Sequence, residues 1–300
     1  MDYKKGFRIL WLTDIHLGNP TNTYDYNEEK EYTHLRAMIE NANNPDLIVL
    51  TGDVFERETI DQVDAFVAFI DSFNIKWAYT NGNHDPSVLI KDKFYINRKI
   101  MAAKNSLFVD YENDDLYGLT NYFINLVSNN KTVYRLYMVD SNSAKPMDSI
   151  KGDSDADVIH LDQLQHITKI NQDQANNAAG LSFFHIPLRE YVNAYQGYSD
   201  KLYDGFGAKK DNIGYGYVNN GAYTVMKEAG VIATFAGHNH GNDFDVDYFD
   251  DDNHMVLSCG LKGTDLNYYD PDLVGYKVIT LPEDPTTFTH KNIAETKFGY

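Results

Sequence analysis

Short apolar runs that end in a cluster of Asp, Asn or His recur along this chain, and no other property limits its fold as much. Phe7 to Thr13 runs into Asp14-Ile15-His16, Asp46 to Thr51 into Gly52-Asp53, and Ile75 to Tyr79 into Thr-Asn-Gly-Asn-His-Asp at 80–85. Leu181 to Phe184 delivers His185, and Val231 to Ala236 delivers Gly237-His238-Asn239-His240. Each run has the length and apolar continuity of a buried strand. Between the first three lie two helical periodicities: Glu28 to Asn41, with Tyr32, Leu35, Met38 and Ile39 on one face, and Thr59 to Phe73, with Val63, Phe66, Val67 and Ile70 on one face. Strand, helix, strand, helix, strand predicts βαβ units. The polar clusters then occupy loops leaving strand ends, where α/β proteins keep their chemistry.

Later segments are less regular. A helix is expected from Pro86 to about Ala103, a meander of short strands from Leu107 to Val139, and a further helix from Asp157 to Ile170. The Tyr, Gly and Asn-rich stretch from Arg189 to Val218 shows little periodicity and reads as a functional loop whose tyrosines either contact substrate or pack the loop down. Tyr223 to Gly230 is helical, and Met255 to Ser258 and Tyr276 to Leu281 complete the strands. With 300 residues, 43% of them hydrophobic, and no linker or internal repeat, a single domain spanning 1–300 is expected.

Composition narrows the chemistry. A net charge of -18 repels nucleic acid and anionic membrane surfaces, so neither is expected as a partner. A phosphate-bearing substrate would need a locally positive site, such as bound metal ions. The single cysteine, Cys259, excludes an internal disulfide or a cysteine metal cluster, so any metal is held by oxygen and nitrogen. No apolar run reaches membrane-spanning length, and the N-terminus enters a strand-like run without a signal peptide. A cytoplasmic location is expected on that basis, or a secreted one if a leader has been removed.

The clusters suit a cation. Asp14 and His16, two apart on extended chain, can point the same way and grip one ion. Asp53 can bridge two ions through its two oxygens. Asn83 offers a neutral amide oxygen, and Gly82 allows the tight turn that presents it. His185 alone would be read as a packed core histidine, because a single imidazole after an apolar strand usually is one. His238 and His240, flanking one residue after a strand, have little structural reason to be there.

Taken in order, Asp14 and His16, Gly52-Asp53, Gly82-Asn83-His84-Asp85, His185, and Gly237 to His240 resemble the calcineurin-like metallophosphoesterase superfamily. Phe183 to Leu188, Asn219 to Tyr223, His238 to Phe244, Asn121-Tyr122 and Asp140-Ser141 are similar to its Dcr2-like branch, near the purple acid phosphatases. Purple acid phosphatases carry a metal-binding tyrosine three residues after the first aspartate. That position is Leu17 here, which argues against an iron-tyrosinate centre while leaving dinuclear binding intact.

The resemblance implies a four-layer αββα sandwich with two mixed β-sheets. It implies one metal on Asp14, His16 and His240, another on Asn83, His185 and His238, and Asp53 bridging them. Two such ions about 4 Å apart hold a hydroxide and clamp a phosphoryl oxygen. Imidazole and carboxylate ligands suit Mn, Fe, Zn or Co. His84 is implied as the proton donor to the leaving oxygen, Glu56 as the carboxylate that orients it, and Arg57 as a phosphate-binding cation. Asn242 and Asp243 are read as supports of the last ligand pair, and His34, His160, His166, His254 and His290 as surface or packing residues. The expected reaction is hydrolysis of a small phosphate monoester. The alternatives are a phosphodiesterase acting on cyclic nucleotides or other small diesters, and a non-catalytic scaffold.

Overall fold

The computed structural model describes residues 1–18, 27–85, 90–92, 94–109, 116–143, 156–173, 178–250 and 253–298. Its strands are β1 (Phe7–Leu12), β2 (Leu17–Gly18), β3 (Leu47–Thr51), β4 (Phe55–Glu56), β5 (Lys76–Thr80), β6 (Tyr122–Ser128), β7 (Lys131–Met138), β8 (Ala179–Phe184), β9 (Gly205–Phe206), β10 (Val231–Ala236), β11 (Asp245–Asp250), β12 (Asn253–Cys259), β13 (Gly275–Leu281) and β14 (Ile293–Lys297). The helices are α1 (Glu28–Asn41), α2 (Ile60–Asp71), α3 (Tyr95–Met101), α4 (Leu161–Asp173), α5 (Glu190–Ser199) and α6 (Ala222–Glu228).

Two sheets carry the fold. The first has the order β14-β13-β1-β3-β5 and the second β6-β7-β8-β10-β12-β11-β9. β1, β3 and β5 run parallel, as do β7, β8, β10 and β12, while β13, β14, β6 and β11 pair antiparallel. Both sheets are therefore mixed. Their facing sides meet through Trp11 of β1, which packs edge-on to Phe235 of β10 at 5.3 Å, and Phe183 of β8, which stacks on Phe235 at 4.7 Å. On the outer side of the first sheet, Leu35 and Met38 of α1 and Val63, Phe66 and Ile70 of α2 join the same buried cluster. On the outer side of the second sheet, Leu164 of α4, Tyr191 of α5 and Met226 of α6 cover Tyr137, Phe184 and Leu257. Helix, sheet, sheet, helix is the layering that the resemblance implies.

Where helical periodicity is strong, sequence and structure agree. α1 has the expected bounds, and α2 starts after Thr59, whose side chain and Gln62 form a capping box. Tyr32 is only partly buried, and Glu31 takes a buried place beside Leu35. Other expectations are corrected. In place of a meander, Leu107 to Val139 contains one hairpin, β6–β7, with 110–115 outside the described residues. The helix expected from Pro86 covers only Tyr95–Met101, with 86–89 and 93 outside the described residues. α4 begins at Leu161, four residues late, because the Asp157 carboxylate turns back to accept from the amide of Val158 at 2.9 Å.

The stretch from Arg189 to Val218 is not one loop: it holds α5 and β9. Tyr191, Ala194, Tyr195 and Tyr198 recur at helical spacing, so its tyrosines supply a packing face. The Tyr191 hydroxyl meets Thr234 Oγ1 at 2.9 Å, and the Tyr195 ring lies 5.1 Å from Phe244.

Candidate metal centre

Parallel strands of one sheet release their following loops at one edge, and the sequence clusters lie on such loops. Asp14 follows β1, Asp53 follows β3 and Asn83 follows β5, while His185 follows β8 and His238 and His240 follow β10. These loops touch. The Asp14 amide donates to Gly52 O at 3.1 Å, the His16 amide to Asp53 O at 2.9 Å, and the His84 amide to Asp53 Oδ1 at 2.8 Å. The His238 amide donates to Asp14 Oδ2 at 3.0 Å, joining the two sheets. Such close approach needs small residues. A Cβ on Gly82 would stand 2.2 Å from Asp53 Oδ1, and one on Gly237 would stand 2.1 Å from Thr13 Oγ1 and 2.5 Å from Asp14 Oδ2.

Asp14, His16, Asp53 and His238 all adopt left-handed backbone, with φ of 54°, 54°, 48° and 74°. Each such residue costs on the order of 1–3 kcal/mol, a strain that concentrates at functional sites and that the loop contacts must offset. Asp85, buried at the end of the Asn-His-Asp turn, helps by accepting from the amides of Phe55 at 3.0 Å and Gly82 at 2.7 Å.

The imidazoles are oriented from behind. His16 Nδ1 faces Glu56 Oε2 at 3.1 Å, His185 Nδ1 faces Thr51 O at 2.9 Å, and His240 Nδ1 faces Tyr268 O at 2.6 Å. With each Nδ1 proton given to an oxygen, the neutral form of each ring keeps its lone pair on Nε2. Those Nε2 atoms converge on the two aspartates. His240 Nε2 is 3.2 Å from Asp14 Oδ1, His185 Nε2 is 3.0 Å from Asp53 Oδ2, and His16 Nε2 is 3.7 Å from Asp53 Oδ2. His16 Nε2 also faces His240 Nε2 at 3.0 Å, and Asn83 Oδ1 lies 3.1 Å from His185 Nε2.

Asp14, His16 and His240 form one group of ligand atoms and Asp53, His185 and His238 another, with the atoms of each within 4.8 Å of one another; His16, Glu56 and His84 form a further group at the rim, and Asp204, Asp247 and His290 one elsewhere. Lone pairs and carboxylate oxygens facing one another repel unless positive charge lies among them, so this donor set fits hard or borderline cations.

Protonation in the metal-free site follows the same logic. Burial pushes His240 down to about 4, and burial with the nearby charge of His185 pushes His238 down to about 4, so both offer lone pairs at neutral pH. Burial also opposes a charge on His185, yet Asp53 and Asp14 outweigh it and raise that imidazole to about 10. His16 is raised as well: burial and Lys262 push it down, and its bonds to Asp14 and Glu56 win. Burial works against the Asp14 charge, but His185, His16 and His240 hold its carboxyl well below the usual range.

His84 stands at the rim, its side chain 40% exposed, with Nδ1 3.9 Å from Glu56 Oε1 and its ring 5.1 Å from that of His16. Glu56 is thus closer to His16 than to the His84 it was expected to orient. Arg57 is exposed and, with φ of 57°, left-handed. Asn242 and Asp243 are corrected: Asn242 Oδ1 accepts from the Asp211 amide at 3.2 Å, and Asp243 Oδ2 pairs with Lys297 at 2.7 Å. Their bonds anchor neighbouring chain and, among the described residues, none goes to a ligand side chain.

Of the remaining histidines, His290 is buried against Asp247 Oδ2 at 2.7 Å and His254 meets Asp247 Oδ1 at 3.0 Å, a packing arrangement. Three residues near the centre escape sequence reasoning. Lys262 Nζ donates to Asp14 O at 2.7 Å, Asn267 Nδ2 to Glu56 Oε2 at 2.7 Å, and the Tyr268 ring stacks on His240 at 4.1 Å. Their one signal is that they follow β12, another parallel strand ending at a glycine.

A two-sheet sandwich with carboxylate, amide and imidazole donors gathered at the ends of its parallel strands defines an α/β protein built around a metal site. The chain belongs to the calcineurin-like phosphoesterase family, which it matches over residues 7–242. It is 27% identical to Phosphatase DCR2 of Saccharomyces cerevisiae, over 79% of this chain and 44% of that protein, and so spans less than half the length of that relative. It is 26% identical to "Probable inactive purple acid phosphatase 29" of Arabidopsis thaliana, over 87% of this chain and 70% of that protein. Among solved structures, purple acid phosphatase PPD1 of yellow lupin seeds has a TM-score of 0.56 at 14% identity, covering 96% of this chain and 50% of that one. A protein of Thermus thermophilus has a TM-score of 0.52 at 7% identity, covering 98% of this chain and 99% of that one. These two likenesses concern the fold alone. Among the described residues, no helix is long and apolar enough to cross a membrane.

Proposed function

We propose that this chain is a metal-dependent phosphoesterase that hydrolyses small phosphate monoesters at a centre of two ions. The observation that carries the reading is the convergence of imidazole Nε2 atoms on Asp14 and Asp53, with His84 on the open side. Asp14, His16 and His240 would hold one ion and Asn83, His185 and His238 the other. Asp53 lies between the two sets, its Oδ2 3.0 Å from His185 Nε2 and 3.7 Å from His16 Nε2. These residues would hold Mn, Fe, Zn or Co ions, which when bound would supply Lewis-acid chemistry toward water and a phosphoryl oxygen.

The chain's own groups supply the rest. Arg57 presents an exposed guanidinium beside Glu56 and binds phosphoryl oxygens. His84 gives a proton to the leaving oxygen as its bond to phosphorus breaks, and the Glu56 carboxylate holds the ring in place. Asp14 and Asp53, fixed by the His238 and His84 amides, cannot turn away from the site.

A non-catalytic scaffold is the second reading, favoured by the word "inactive" in the name of the Arabidopsis relative. Against it, every expected ligand position is filled here. The test is hydrolysis of p-nitrophenyl phosphate and bis-p-nitrophenyl phosphate by metal-stripped protein with Mn, Zn, Fe or Co restored singly. Faster monoester cleavage is expected. Faster diester cleavage would make the chain a phosphodiesterase, and no cleavage by fully loaded protein would favour the scaffold.

A further inference from the structure

The segment after β12 touches the Asp14, His16 and His240 half of the centre at four points. Lys262 Nζ donates to Asp14 O at 2.7 Å, and Thr264 Oγ1 donates to Ile15 O at 2.5 Å. Tyr268 accepts from His240 Nδ1 through its carbonyl at 2.6 Å and lays its ring on that imidazole at 4.1 Å, with 21° between the planes. Asn267 reaches His16 indirectly: its Nδ2 donates to Glu56 Oε2 at 2.7 Å, and the same oxygen receives His16 Nδ1 at 3.1 Å. An ion pair between Lys30 and Asp265 ties the segment to α1.

Asn267 is shaped for this task. Its backbone is left-handed, with φ of 63°, a conformation asparagine tolerates better than most residues. Its Oδ1 accepts the Tyr268 amide at 2.8 Å, so both ends of the side-chain amide are engaged and its rotamer is fixed. Glu56 in turn stands between His16 and His84, its Oε1 3.9 Å from His84 Nδ1. A carboxylate that is free to rotate would orient neither ring.

We propose that Asn267 and Tyr268 are positioning residues for this half of the centre, Asn267 acting through Glu56 on His16 and Tyr268 acting directly on His240. The inference rests on the two-ion reading above. Outer partners of ligating histidines typically change metal affinity about 10-fold to 100-fold when removed.

Two substitutions separate positioning from local structure. Asn267→Gly keeps the left-handed backbone and loses both side-chain bonds. Asn267→Asp keeps the bond to the Tyr268 amide and sets a carboxylate against Glu56. Metal-free wild-type and variant proteins are titrated with Mn(II) alone, ions bound per chain are counted, and thermal midpoints are recorded without metal. The expected result is an affinity loss of about 10-fold or more for one of the two ions in both variants, at least as large in Asn267→Asp, and not in proportion to the fall of the metal-free thermal midpoint. The loaded variants should lose kcat with KM little changed.

Wild type that binds two ions, with variants that bind both unchanged, would overturn this inference alone. An affinity loss confined to whichever variant has the lower metal-free midpoint would mark a merely structural residue and overturn it as well. Wild type that binds no ions would overturn both this inference and the reading beneath it.

Discussion

His16 and His84 sit with rings 5.1 Å apart and are given different tasks by their surroundings. His16 is fully buried, its Nδ1 held by Glu56 and its Nε2 aimed at Asp14, Asp53 and His240, so it can only ligate. His84 keeps its side chain 40% exposed and offers its ring to whatever enters the site. His84→Ala should therefore retain both ions and lower kcat by about 10²–10⁴-fold, the ordinary worth of a positioned general acid. Metal analysis beside turnover checks this, and loss of an ion would place His84 among the ligands.

Glu31 is a second instructive residue. Burial and the nearby Asp265 charge raise its carboxyl to about 7 from an ordinary 4.5. A folded-state pKa above the unfolded one favours the native state fully below the unfolded value, and that contribution is lost as pH rises through the folded one. Stability contributed by Glu31 should thus fall between about pH 4.5 and pH 7. Glu31→Gln is expected to raise stability at pH 8 by about 1–3 kcal/mol and to leave it nearly unchanged at pH 4.5, read by denaturant unfolding at both values. Equal effects at both would show that Glu31 does not titrate in this way.

At the scale of elements, the site exists because three parallel strands of one sheet, β1, β3 and β5, and two of the other, β8 and β10, release loops that meet. This is also why so much of it is legible in the sequence. The polar clusters immediately follow apolar runs, which marks Asp14, Asp53, Asn83 and His238, whereas His185 stands out only by its place in the ordered set that resembles the family. What fails to show in sequence has its partner far along the chain. β11 reads Asp-Val-Asp-Tyr-Phe-Asp, with acidic residues where a core strand should be apolar. They are tolerated because Asp245 pairs with buried Lys277 at 2.7 Å and Asp247 pairs with His290 at 2.7 Å. Asn267 is hidden for the same reason, since its partner Glu56 lies 211 residues away. α5 is missed because its apolar face is made of tyrosines that composition assigns to a loop.

The loop junctions are the elements' weak points. A Cβ at Gly237 would press on Thr13 Oγ1 and Asp14 Oδ2. Gly237→Ala should keep secondary structure by circular dichroism, lower the thermal midpoint, and weaken binding of at least one ion about 10-fold or more, because Asp14 must move. Unchanged ion binding would mean that the loop yields and Asp14 does not.

For the molecule as a whole, a net charge of -18 surrounds a site that must admit an anion. Exposed charges act over about 30 Å at 0.01 M salt and about 8 Å at 0.15 M. If general repulsion slows encounter, kcat/KM for a dianionic monoester should rise between these ionic strengths. A fall would mean that the local field of the loaded centre and Arg57 dominates the approach.

The central claim is that two sets of ligands share Asp53, whose carboxylate faces imidazoles from both. Its most direct test counts metal ions per chain, by mass spectrometry of the native protein after stripping and reloading with Mn(II), in wild type and in Asp53→Ala. The account predicts two ions in wild type and loss of affinity for both when the shared carboxylate is removed. A single ion in wild type, or two ions bound undiminished by Asp53→Ala, would contradict it.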